Sequence, residues 1–81
     1  MAITFDKLKQ KILDGKSDAN ISFEDLRSLL LSLGFVERIK GSHHTYRKRG
    51  VTEKPNLQRE GSNAKSYQVR QVKLILRKYK L

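Results

Sequence analysis

Cysteine and tryptophan are absent from this chain, and carboxylates are scarce, with eight Asp and Glu against eighteen Lys and Arg. Without cysteine, neither a disulfide nor a thiolate zinc site can hold the fold, and a reducing cytoplasm is the expected setting. The longest apolar run, Leu29-Leu30-Leu31, is far too short to span a bilayer. The opening Met-Ala-Ile-Thr-Phe-Asp has neither the charged start nor the long apolar stretch of a signal peptide. No membrane partner is expected. Eighty-one residues, 37% of them apolar, allow one modest core and no deep cofactor cavity. Aromatic residues are few as well. Phe5, Phe23 and Phe35 read as core and Tyr46 as inward-facing, which leaves little for stacking single-stranded bases.

Positive charge is what the chain has in excess: a formal net charge of +10 and a pI near 10.2. In a small domain this points to an anionic polymer or an acidic protein as partner. A solvated basic surface is the plain alternative.

The spacing of apolar residues predicts a first helix capped by Thr4, with Phe5, Leu8 and Ile12 on one face, Ile3 stapling Leu8, and Gly15 as its stop. Lys16 to Asn20 reads as a polar linker. The same pattern restarts at Ile21: Ser22 caps, Ile21 staples Leu26, and Phe23, Leu26, Leu30 and Leu33 form a stripe that Gly34 closes. Phe35 to Lys40 and His43 to Lys48 alternate as strands about Gly41-Ser42, and Arg49-Gly50 is a turn. A third strand is expected around Asn56 to Arg59, a polar loop over Glu60 to Lys65, and a last helix from Ser66 or Tyr67. In that helix Val69, Val72, Ile75, Leu76 and Tyr79 share a face, and Arg70, Lys73, Arg77 and Lys80 lie opposite. The order implies an α+β fold, an antiparallel meander covered by helices on one face and open on the other.

The two histidines sit side by side after Gly41-Ser42. Strand alternation sends His43, Thr45 and Arg47 to one face and His44, Tyr46 and Lys48 to the other. If Tyr46 is buried, His44 is a half-buried histidine with a hydrogen-bond partner. His43 then lies on the open face beside Arg47, within a patch of Arg38, Lys40, Arg47, Lys48 and Arg49. Adjacent strand residues diverge, so a two-histidine metal site is a poor fit, and Ser42 lacks the partners of a nucleophile.

Residues 22–48 run as helix, Leu33-Gly34-Phe35, strand with Arg38, Gly41-Ser42-His43-His44 and Thr45-Tyr46, and in this they resemble the HicA (YcfA-like) toxins of bacterial toxin–antitoxin systems. Tyr67-Gln68-Val69-Arg70-Gln71-Val72 and the helix it opens resemble the closing helix of that family, so the likeness covers residues 21–81. It implies a double-stranded-RNA-binding-like α-β-β-β-α domain with a three-stranded antiparallel sheet. Residues 1–20 would be an added N-terminal helix and linker. It also implies a cytoplasmic bacterial endoribonuclease that cleaves mRNA and inhibits translation, monomeric when free, with a HicB-type antitoxin as protein partner. The family's catalytic histidine follows Gly-Ser, which maps to His43, and Gly41 maps to the glycine that shapes the turn. Many members carry a third strand ending in proline and histidine; Pro55-Asn56-Leu57-Gln58 here has no histidine.

The expected chemistry is RNA cleavage without metal or cofactor. His43 would take the proton of a ribose 2′-hydroxyl, Arg47 and Lys40 would stabilise phosphate charge, and water or a lysine would act as acid. Gly41, Ser42, Lys40, Arg47 and Lys48 are the expected RNA contacts. The rivals are a non-catalytic RNA-binding module and a protein whose basic face simply meets an acidic partner.

Overall fold

The computed structural model describes residues 4–15 and 20–81. Both expected helix starts form by the capping chemistry read from the sequence. The Thr4 hydroxyl accepts the Lys7 backbone N–H at 3.3 Å and opens α1 (Phe5–Asp14). The Ser22 hydroxyl accepts the Asp25 N–H at 3.4 Å and opens α2 (Phe23–Ser32). Ile21 and Leu26 are both buried, as a hydrophobic staple requires. Ile3 and residues 16–19 of the linker lie outside the described residues.

Three strands form one antiparallel sheet in the order β1 (Val36–Lys40), β2 (His43–Arg47) and β3 (Asn56–Leu57). Lys40 pairs with His43, so Gly41-Ser42 is a two-residue hairpin turn. Gly41 has φ 60° and Ser42 stays out of the left-handed region, the pattern of a type II′ turn with glycine first. On the other side His44 pairs with Leu57 and Thr45 with Asn56.

The third strand departs from expectation. Only Asn56–Leu57 joins the sheet; β4 (Arg59–Glu60) turns away and pairs with β5 (Asn63–Ala64) as a second small sheet. The segment expected as a loop is therefore a hairpin about Gly61-Ser62. It forms because it is tied to the entry of α2: Ala64 N–H donates to the Ile21 carbonyl at 2.9 Å and Phe23 N–H to the Ser62 carbonyl at 3.0 Å.

The last helix, α3 (Ser66–Tyr79), buries Val69, Val72, Ile75 and Leu76 against α1, α2 and the sheet. Leu8 and Ile12 of α1 belong to the same core and are almost fully buried, each stabilising the fold by about 1.5–3 kcal/mol. Phe5, expected beside them, is 47% exposed: it sits in the first turn of α1, and Leu13 packs against the core in its stead. Two of the four basic residues of α3 face α1. Arg77 donates to the Leu13 carbonyl at 2.8 Å, and Lys73 Nζ closes on Gly15. Tyr46 and Leu57 point from the sheet into the core, whereas Arg38, Lys40, His43 and Arg47 of the opposite face are exposed. Among the described residues no helix is long and apolar enough to cross a membrane.

Candidate functional site: a cationic sheet face around His43

The hairpin turn and the strand register decide which side chains meet His43. Lys40 stands directly across from it on β1, and Arg38 across from Thr45. Directly opposed strand residues have Cβ atoms about 5 Å apart. Arg47 lies four residues further along β2 on the same face, roughly 13 Å away at the rise of a strand. Arg38, Lys40, Thr45, Arg47 and Lys54 line a shallow concavity of about 390 Å³ on the sheet face that His43 shares, with Lys40 its direct neighbour across the strands. Among the described residues none of Arg38, Lys40, Arg47 and Lys54 forms an ion pair, so their charge faces solvent uncompensated. Gly41 and Ser42 are exposed in the turn immediately before His43.

Asn56 of β3 and Gln58, one residue past its end, take the same face. Asn56 Nδ2 lies 3.4 Å from His43 Nδ1, and Gln58 Nε2 lies 3.4 Å from His43 Nε2. Gln58 Oε1 accepts from Lys65 Nζ at 3.4 Å. The Gln58 backbone N–H donates to Oε1 of the buried Gln68 at 2.8 Å. Lys54 is carried by a loop that is itself tied down. Glu53 accepts from the Tyr79 hydroxyl at 2.6 Å and from Lys78 at 2.9 Å. The Tyr79 and Lys78 bonds hold the Glu53 carboxyl at about 2, well below the usual carboxylate range.

His44 faces the helices. Its Nδ1 lies 3.2 Å from Glu37 Oε2, and its ring meets Phe23 edge-on with centroids 4.9 Å apart. Glu37 also receives Arg27 through two bonds of 2.6 and 2.9 Å and the Tyr46 hydroxyl at 2.6 Å. The Arg27 bonds, helped by Tyr46 and His44 and opposed by burial, hold the Glu37 carboxyl at about 2. Burial, then the bond to Glu37, pushes the Tyr46 hydroxyl far above the usual tyrosine range. Arg59, at the far side of the turn, is paired with Glu24 and lies 4.3 Å over the Phe23 ring.

Lys48, expected among the RNA contacts, is not brought to His43. At an even position of the strand it turns to the helix side, where Nζ donates to the Leu33 carbonyl at 2.7 Å. It acts there as the cation at the C-terminus of α2, whose last turn has no basic residue of its own. The fit is close: Gly34, at φ 95°, lies where a Cβ would come within 2.8 Å of that ammonium.

No local sequence signal points to Asn56, Gln58, Lys54 or Lys65. None is near His43 along the chain, and only the Thr45–Asn56 register puts the two amides on its face. Among the described residues no three of His, Asp and Glu converge as metal ligands would. No protein-family model matches the chain, and neither a curated protein nor a solved structure is significantly similar to it.

Proposed function

We propose that this protein is an RNA-cleaving toxin of the HicA kind, a cytoplasmic bacterial endoribonuclease that attacks mRNA and is held in check by a HicB-type antitoxin. The observation that carries the reading is the division of labour between neighbouring histidines. His44 is committed to Glu37, while His43 is exposed among unpaired cations.

His43 serves as general base, drawing the proton from a ribose 2′-hydroxyl. The 2′-oxygen attacks the adjacent phosphorus, the bond from phosphorus to the 5′-oxygen breaks, and the products carry a 2′,3′-cyclic phosphate and a 5′-hydroxyl. Lys40, directly opposite His43, stabilises charge on the phosphate under attack, and it or water returns a proton to the leaving oxygen. Arg47, about 13 Å along the strand, and Arg38 hold neighbouring phosphates of the same strand. A cationic concavity with no aromatic among its lining residues suits recognition of backbone and shape. Gly41 and Ser42 keep the approach to His43 low and unobstructed. One acid–base group supplies about 10²–10⁴-fold of rate, enough for an enzyme that damages transcripts rather than turning over metabolites.

The test is incubation of purified chain with RNA and analysis of the ends formed. Cyclic-phosphate ends from the wild type, reduced at least about 100-fold in His43→Ala, are expected. Tight binding with no product from either protein would establish the non-catalytic RNA-binding module in place of the enzyme.

A further inference from the structure

His43 touches two amides, and the two are not equivalent. A neutral imidazole has one N–H and one lone pair, so it accepts from one amide and donates to the other. The amide able to present its oxygen therefore determines which ring nitrogen keeps the lone pair.

Gln58 is held against turning. Its Oε1 accepts from the Lys65 ammonium at 3.4 Å, and an ammonium only donates. Exchanging the amide ends would set NH₂ against NH₃⁺. The backbone beneath it is fixed too, by the 2.8 Å bond from Gln58 N–H to the buried Gln68 side chain. Gln58 can thus offer only N–H to His43 Nε2, at 3.4 Å. Asn56 is free of such a hold. Its Oδ1 is buried without a hydrogen-bond partner, so turning the amide breaks no bond made by that oxygen. The turn lets Oδ1 accept the His43 Nδ1–H across a 3.4 Å gap and moves the NH₂ to the place that oxygen held, so the buried end of the amide has no bond to lose.

We propose that Lys65, acting through Gln58, fixes His43 in the tautomer with the proton on Nδ1 and the lone pair on Nε2, so that Nε2 is the atom that receives the substrate proton. The inference rests on the reading of His43 as the base in RNA cleavage and names the base atom and its positioning residues, Gln58, Lys65 and Asn56. A 3.4 Å contact lies at the long end of a hydrogen bond. It orients the lone pair without consuming it, and a ribose hydroxyl approaching to about 2.8 Å displaces it.

The test is ¹⁵N-resolved NMR of the His43 ring in the full chain, at a pH where the ring is neutral, with signals assigned by their loss in His43→Ala. The expected wild-type spectrum has a protonated Nδ1 and an unprotonated Nε2. In Gln58→Met and Lys65→Met the two shifts move toward each other as the Nε2–H form appears. Gln58→Met removes no charge, so it should lower kcat by about tenfold at unchanged KM. A wild-type ring protonated on Nε2 overturns the proposal and needs no variant to fold; folded variants with an unchanged ring spectrum overturn it as well. The spectrum requires no substrate. A chain with the expected tautomer that cuts no RNA supports the positioning and removes the cleavage reading. A chain that cuts RNA with an Nε2–H ring keeps the cleavage reading and removes the positioning.

Discussion

His44 lies 3.2 Å from a carboxylate that also takes bonds from Arg27 and Tyr46, while His43, one residue earlier, faces two neutral amides and a row of unpaired cations. The two share a strand and differ because strand side chains alternate. On the covered face Arg27, Tyr46 and His44 Nδ1 converge on one common acceptor, Glu37. On the open face charge of one sign is left uncompensated, which costs stability through self-repulsion and is recovered only when an anion arrives. Glu37 and Tyr46 are directly opposed across β1 and β2 and bonded at 2.6 Å, a contact that only this register allows, and the same register puts Lys40 opposite His43. The covered face thus builds the open one.

Removing Glu37 should break the comparison most severely. Glu37→Ala leaves Arg27, Tyr46 and His44 without their acceptor and should cost about 3 kcal/mol. In a domain of this size that lowers Tm by more than about 10 °C, measurable by thermal melting.

Acid should act on the same face more gently. The Glu37 carboxyl sits at about 2 when folded, against an ordinary value of 4.5. Its folded pKa is depressed, so its stabilisation is fully present above the ordinary value and is lost as pH falls through the folded one. With allowance for solvent reaching Arg27 the loss is about 2 kcal/mol. Denaturant melts between pH 5 and pH 2 should show it, and Glu37→Gln should flatten the slope. Glu53 titrates in the same direction and window, so Glu53→Gln is the matching control.

The histidines themselves sharpen the contrast. His44→Ala should lower stability by about 1–2 kcal/mol through the lost bond and ring contact, while His43→Ala should leave Tm where it was. The smallest effect belongs to a single open-face cation. Arg47→Ala should leave Tm unchanged and reduce the slope of log K against log salt for RNA binding by about 1.

Much of this was legible in the chain. Capping residues Thr4 and Ser22, the β1 and β2 strands and the burial of Tyr46 follow from local chemistry and alternation. The separation of His43 from His44 needed only the period of a strand. The β4–β5 hairpin, expected as a loop, carries the same turn signal as β1–β2: Gly61-Ser62 repeats Gly41-Ser42, each with the glycine at positive φ. Its flanks, Arg59-Glu60 and Asn63-Ala64, are too short and polar to read as strands, and backbone bonds to Ile21 and Phe23 supply what alternation does not. Alternation already turns Lys48 away from His43; the partner it finds there, the Leu33 carbonyl, lies fifteen residues earlier and is set by the packing of α2. The amides on His43 depend on a pairing across the β2–β3 loop that no local pattern encodes.

The central claim, that the exposed histidine of this pair cuts RNA, is tested most directly by induced expression in a bacterial host of wild type beside His43→Ala, with transcripts examined by northern blot. Growth arrest and cleaved transcripts with the wild type alone are predicted. Equal arrest and equal cleavage with His43→Ala would contradict the account.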